Sequence, residues 1–343
     1  MRQVKICMMG FGNVSRAFVR LAEHKQAELK ERYGLELAFT GITTGSHGSA
    51  IDTGGIDIHQ ALALAEDGRS LDGLSARPAP QDVRDFIVAS RAEFLLENSP
   101  VNYETGQPAV LHIQTALENG MHAVSANKGP VVHAYHELTA LAERHGRRFL
   151  FESAVMDGAP IFSVFREALP AAHVLGFEGV LNSCTNLLIE RMERGATFNE
   201  AVAYAQSIGI AETDPSGDID GWDAAIKVAA LATVLMGMPL KPQDVQREGI
   251  RALSLTEIQA ARREGGRWKL VCRAERGQDG ITASVSPHIV QPESPLFSVN
   301  GTSSFVMFKT DVLPGLGIQE CDPGPDTTAY GLLADMLNIL KSA

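Results

Sequence analysis

VKICMMGFGNVSRAFVRLAEH, residues 4–24, decides the fold. Val4 to Met9 is a short apolar run. Glycines follow at 10 and 12, and from Ala17 the apolar residues recur at helical spacing through Phe18, Leu21 and Ala22. This is strand, tight turn, helix. In GFGNVS the first glycine admits the tight turn. The second lets the backbone approach a pyrophosphate lying on the helix N-terminus. The third glycine of the usual pattern is replaced by Ser15, a position that governs only helix–strand packing. Gly10, Gly12, Asn13 and Val14 are therefore expected to hold a dinucleotide.

The same alternation continues outward. LELAFTGITTG (35–45) is a second apolar run, and residues 82–100 read as a helical or loop piece followed by a strand. AVLHIQTALENGMHAVSANKGP (109–130) is a helix, a stop at Asn119-Gly120 and a strand, and HELTALAERHGRRFLFESAV (136–155) repeats the plan. Alternating strands and helices predict a parallel sheet with right-handed crossovers. After about residue 150 the character changes. Residues 199–209 and 221–236 read as helices, 268–290 as antiparallel strands around Gln278-Asp279-Gly280, and 303–313 as a further strand. The expected fold is α/β: a Rossmann-type domain over 1–150, completed by a C-terminal helix in 322–343, and an α+β substrate and dimerisation domain over 151–321.

Composition sets the outer limits. The 343 residues are 45% apolar and 21% charged, with a formal charge of -11. An acidic chain is a poor match for phosphate-rich nucleic acid or an anionic membrane surface. A small substrate with a positive group remains compatible. Four dispersed cysteines, Cys7, Cys184, Cys272 and Cys321, show no metal spacing and predict reduced thiols in a cytoplasmic protein. No secretion signal or bilayer-length apolar stretch is evident.

A chemical question sits in GWDAAIKVAALATVLM (221–236). Asp223 and Lys227 are one helical turn apart on a helix with almost no polar face. A desolvated ammonium beside one carboxylate is costly unless it is used, and the pair suits proton exchange with a carbonyl/alcohol couple. Upstream, Glu212, Asp214, Asp218, Asp220 and Asp223 crowd together, with Asp220 a candidate helix N-cap. They lack the EF-hand spacing and read as a basket for a substrate ammonium. After the second strand, Thr43 and Thr44 lie in a stretch, 41–50, free of carboxylates. A 2′-phosphate would meet no repulsion there, which predicts NADP ahead of NAD. The five histidines at 112, 122, 133, 136 and 145 match no metal motif and are expected to be solvated or capping. The run Glu190–Arg194 is expected to be a solvated helix end.

GFGNVS, NYETGQPA, SANKGP, ESAVMDGAPI, GVLNSCTNLLIERME and AETDPSGDIDGWDAAIKVAALA occur in the order and spacing of homoserine dehydrogenases, which the chain resembles to about residue 235, with a weaker match over 322–337. The resemblance implies interconversion of L-homoserine and L-aspartate 4-semialdehyde with NADP or NAD, on the route to threonine and methionine. It implies Lys227 as the proton exchanger with Asp223 orienting it, and Glu212 and Asp218 on the substrate ammonium. Lys128 would reach the active site. Asn98 and Ser99 would lie beneath the cofactor, Ser125, Asn127 and Lys128 of SANKGP beside it, and Gly324 in a loop near the nicotinamide. Glu152, Val155 and Asp157 would form a monovalent-cation loop for Na+ or K+. Two departures stand out. Ser183-Cys184 replaces Gly-Thr in a strand lining the substrate, and Asp322-Pro323-Gly324 replaces Gly-Ala-Gly. These admit a related dehydrogenase acting on a different small amino-acid-like alcohol or amine; a non-catalytic cofactor-binding sensor is the other alternative. A homodimer is expected, and a C-terminal regulatory domain is not.

Overall fold

A computed structural model describes residues 1–75 and 77–341. The chain forms two compact units, residues 1–160 with those from 324 onward, and residues 161–323. The expected breaks lay at 150 and 321; residues 342 and 343, included in the expected terminal helix, fall outside the described residues.

The first unit is built on β1 (Arg2–Met9), β2 (Leu35–Thr43), β3 (Ser49–Ile51), β4 (Phe94–Glu97), β5 (His122–Ser125) and β6 (Phe149–Leu150), in the spatial order β3-β2-β1-β4-β5-β6. All neighbours run parallel except β2 and β3. This is the strand order of a doubly wound dinucleotide fold, with one antiparallel edge. Parallel strands covered on both faces need apolar residues on both: Ile6, Met8, Phe94, Leu96 and Val124 on one face and Cys7, Leu95 and Ala123 on the other are wholly buried. The C-terminal helix Pro325–Lys341 places Ala329, Leu332, Leu333 and Met336, at i, i+3, i+4 and i+7, into the core that holds Phe18 and Val19 of helix Asn13–His24. Each large side chain so buried contributes about 1.5–3 kcal/mol.

The second unit carries β7 (Val174–Val180), β8 (Gln246–Arg247), β9 (Arg267–Gly277), β10 (Gly280–Val290), β11 (Ser304–Thr310) and β12 (Leu316–Glu320), ordered β12-β11-β7-β9-β10-β8. Pairing is antiparallel except between β8 and β10. β9 and β10 join through the two-residue turn Gln278-Asp279 with Gly280 at φ 130°. Helices Ser183–Glu193, Trp222–Leu235 and Leu255–Arg263 pack on this sheet.

Three expectations need correction. Ser183 and Cys184 do not lie in a strand: they open the helix Ser183–Glu193, capped by Asn182, whose side chain accepts from Thr185 N. The run 190–194 is a solvated end only in part: Arg194 is exposed, but the two acids are drawn inward. Glu193 is buried and paired with buried Arg267 at 2.8 Å, and Glu190, also buried, accepts from the Gly301 N–H. His112 and His122 are buried rather than solvated. Burial, with Arg147, Arg2 and Arg148 nearby, pulls the His122 imidazole down to about 4. Among the described residues no helix is long and apolar enough to cross a membrane.

Candidate active site

Each unit carries one group of chemically suggestive residues. In the first unit the strand order reverses at β1, so the crevice beyond the carboxyl ends of β1 and β4 is the expected ligand position. Those ends lead into Gly10 and Asn98. Gly10 lies at φ 90°, and a Cβ there would fall 2.7 Å from the Asn98 carbonyl oxygen, so no side chain is tolerated. A Cβ on Gly12 would meet nothing within 4 Å, which leaves the turn open to a ligand.

Ser15 does more than fill the third glycine position. It is fully buried, donates to the Gly10 carbonyl at 2.8 Å and accepts from Asn98 Nδ2 at 3.0 Å. Asn98 Oδ1 is buried beside this turn with no partner among the described residues, as an acceptor reserved for a ligand hydroxyl would be. These features fit a bound dinucleotide. Behind them buried Glu97 accepts from Ser99 N at 2.9 Å and lies 2.7 Å from His112 Nδ1. Asn127 Nδ2 donates to Ser99 O at 2.9 Å, and its Oδ1 caps the helix Lys128–His133 through Gly129 N. Lys128 is half-buried at the first position of that helix. Ser125 is fully buried and spends its hydroxyl within its own turn, on Asn127 N at 3.0 Å and Asn127 O at 3.1 Å.

Around β2 the hydroxyls are also engaged. Thr43 Oγ1 meets Ser49 Oγ at 2.7 Å, and Thr44 Oγ1 accepts from His47 N at 2.7 Å. Asp72, distant in sequence, accepts from Ser49 N at 2.8 Å, and that bond and Ser70 hold its carboxyl below the usual range. The segment from Glu152 is pinned to the C-terminal helix: Glu152 N donates to Asp335 at 2.7 Å, and Thr328 Oγ1 donates to Asp157. Asp157 has φ 41°. Gly324 N–H donates to Thr327 Oγ1 at 2.9 Å. Asp322 takes φ 48°, a left-handed position that glycine fills most easily. Among the described residues no group of three His, Cys, Asp or Glu could hold a metal.

In the second unit the helix Trp222–Leu235 is buried from Ala224 to Ile226 and from Val228 to Thr233, and Lys227 enters from its less buried edge. Lys227 Nζ donates to the Leu181 carbonyl at 2.7 Å and lies 3.3 Å from Asp223 Oδ2. Both side chains are largely buried, at 13% and 15% exposure, so the exposed surface pair is excluded. Asn182 Nδ2 donates to Asp218 at 2.6 Å and to Asp223 at 3.0 Å. Burial and the neighbouring Asp223 push the Asp218 carboxyl up to about 6. The Cys184 thiol is buried against Asp218, and burial together with that acid raises it further. Ser183 Oγ meets Ser304 Oγ at 3.4 Å.

The structure thus brings together Asp218, Asp223, Lys227 and Cys184. Glu212 is exposed, and the groups facing Asp218 do not include its carboxylate. Asp220 is not the helix cap expected: Gly221 at φ 79° takes that place, and the Asp220 carboxylate binds Arg251 through two bonds of 2.8 and 3.0 Å. The Trp222 ring carries the Arg247 guanidinium at 3.7 Å, which is packing of a cation on an aromatic face. Asn182 escaped the sequence reading, although an Asn between a strand and a helix is a recognisable cap signal.

Comparison with known proteins decides what this assembly is. Residues 160–337 match the family described as homoserine dehydrogenase, and residues 10–152 match its NAD-binding domain. The chain belongs to the homoserine dehydrogenase family. It is 35% identical to an NAD(+)-dependent homoserine dehydrogenase of Pseudomonas canavaninivorans, covering 100% of this chain and 98% of that one. It is 34% identical to a homoserine dehydrogenase of Methanocaldococcus jannaschii, covering 98% of each. The crystal structure of a Thiobacillus denitrificans homoserine dehydrogenase superposes with a TM-score of 0.82 at 27% identity, over 99% of this chain and 74% of that one. As a homoserine dehydrogenase the chain is an NAD-dependent oxidoreductase, and its Gly10–Ser15 turn lies within the matched NAD-binding domain.

Proposed function

We propose that this homoserine dehydrogenase interconverts L-homoserine and L-aspartate 4-semialdehyde with Lys227 as the acid/base. The observation that supports it is a lysine largely withdrawn from water, with one carboxylate at 3.3 Å and one carbonyl at 2.7 Å fixing its amine. Oxidation of the alcohol removes a hydride from C4 and a proton from the hydroxyl. The bound nicotinamide supplies the hydride acceptor. Lys227, as the neutral amine, takes the proton; in reduction its ammonium returns it. Asp223 orients the amine. Asp218 holds the substrate ammonium and Lys128 assists at the reacting oxygen, while the exposed Glu212 stands apart from the groups around Asp218.

Gly10, Gly12, Asn13, Val14, Thr43, Thr44, Asn98, Ser99, Ser125, Asn127, Lys128 and Gly324 belong to the cofactor side of this reading. The neutral stretch 41–50 favours NADP, but Asp72, held 2.8 Å from Ser49 N, adds a carboxylate to that loop. We therefore take NAD as the better cofactor and NADP as accepted. Glu152, Val155 and Asp157 would hold Na+ or K+ largely through main-chain oxygens, a donor set that suits a monovalent ion. A homodimer formed through the sheet of residues 161–323 completes the reading.

Purified protein given homoserine with NAD and NADP, in sodium, potassium and tetramethylammonium buffers, tests this by appearance of reduced cofactor. Lys227→Ala should abolish turnover and leave cofactor affinity nearly intact. Turnover persisting in Lys227→Ala removes the assigned chemistry. Cys184, buried against Asp218, and its neighbour Ser183 make a panel of related amino alcohols part of the same assay.

A further inference from the structure

Asn182 follows β7 and caps the helix Ser183–Glu193. Its Oδ1 accepts from Thr185 N and from Thr185 Oγ1, each at 2.8 Å. That use of the oxygen fixes which end of the amide faces the acids. The nitrogen then gives its hydrogens to two different carboxylates, Asp218 at 2.6 Å and Asp223 at 3.0 Å. Capping alone does not need this. Ser, Thr or Asp caps a helix about as well, and none offers two hydrogens to neighbours.

Two carboxylates held this close repel one another, and a shared donor offsets the repulsion. The groups facing Asp218 are Asp223 and Lys227 from helix Trp222–Leu235, and Asn182 and Cys184 from the start of helix Ser183–Glu193. The Asp220 carboxylate is taken by Arg251. The one cation in the set, Lys227, is already paired with Asp223.

We propose that Asn182 is a positioning residue: it yokes Asp218 to Asp223, so a single amide aims both the carboxylate assigned to the substrate ammonium and the one that orients the lysine. This rests on the roles given to Asp218, Asp223 and Lys227 above. Because the Asn182 bond favours ionised Asp218, its loss makes that carboxyl harder to ionise.

The test is the pH dependence of kcat/KM for homoserine in Asn182→Ser and Asn182→Asp, at saturating NAD. Both substitutions keep a capping oxygen. For Asn182→Ser the acid limb should move up by about one pH unit, so that kcat/KM falls ~10-fold near pH 5 and about twofold at pH 7 from the carboxyl shift. NAD affinity, read by intrinsic fluorescence, should stay within about twofold, since the dinucleotide contacts are elsewhere. Asn182→Asp replaces the donor with a third carboxylate and should shift the limb further; it carries the test alone if the serine variant fails to fold. Added to Asp218→Asn, which removes the titrating carboxyl, Asn182→Ser should leave the acid limb unmoved and lower only the residual rate, through the lost Asp223 bond. An unmoved limb, or a further shift in the Asp218→Asn background, overturns the proposal. Lys227→Ala run alongside separates the two readings. Turnover surviving there sinks the underlying mechanism. Its loss there, with an unmoved limb in the Asn182 variants, sinks this inference alone.

Discussion

Asp218→Asn should make the protein more stable at alkaline pH while impairing it as an enzyme. The carboxyl ionises at about 6 rather than 3.8, chiefly because burial and Asp223 oppose its charge. An acid raised on folding binds more protons in the native than in the unfolded chain between those two values. Stability is therefore fully present below the lower value, falls as pH rises, and levels off above the higher one. At about 1.4 kcal/mol per pH unit, the ionised carboxylate costs the folded state ~3 kcal/mol at most. The amide still accepts one bond from Asn182 but gives Lys227 less support, so a net gain of roughly 1–2 kcal/mol is expected. For a unit of this size that is about 2–8 °C in Tm. Differential scanning fluorimetry of wild type and variant from pH 4 to 8 reads it directly. The difference should be near zero at pH 4, grow through pH 6 and then hold, while kcat/KM for homoserine collapses. A constant difference across the range, or a variant less stable at pH 8, would refute the electrostatic account of this site.

The two turn glycines should separate from one another. Gly10→Ala meets a backbone carbonyl at 2.7 Å in a left-handed conformation and should lower both Tm and NAD affinity. Gly12→Ala has open space and should leave Tm unchanged while weakening NAD binding, measured by calorimetry. Asp72→Asn should raise the kcat/KM for NADP relative to that for NAD, by about 10-fold if the carboxylate faces a 2′-phosphate. Glu193→Ala strands the buried Arg267 guanidinium and should cost about 3–5 kcal/mol in urea unfolding. The double variant Glu193→Leu/Arg267→Met should cost less than this single one.

The first unit was legible because its signals are local. Apolar runs, Gly10 and Gly12 and helical spacing are each contained within a few residues, and they specify strand, turn and helix in order. The edge strand Ser49–Ile51 and the short β8 and β12 were missed, since two to five residues carry too little periodicity. The Asp223–Lys227 pair was legible because both partners sit on one helix, one turn apart. Asn182 and Asp72 were not, because their partners are 36 and 23 residues distant and only folding joins them. Glu193 misled for the same reason: its countercharge, Arg267, comes from a strand 74 residues later. Ser183 and Cys184 misled through an analogy of position, whereas the capping residue before them already signalled a helix.

The terminal helix has a consequence during synthesis. Phe18 and Val19 leave the ribosome early, yet Ala329, Leu332 and Met336, which cover the same core, are translated last. At about 5–20 residues per second, some 300 intervening residues hold that patch uncovered for roughly 15–60 s. Residues 161–323 are all available before the N-terminal unit can close. The nascent chain therefore carries a sheet whose strands are all made but whose covering helix is not, and chaperone occupancy should concentrate on that first unit.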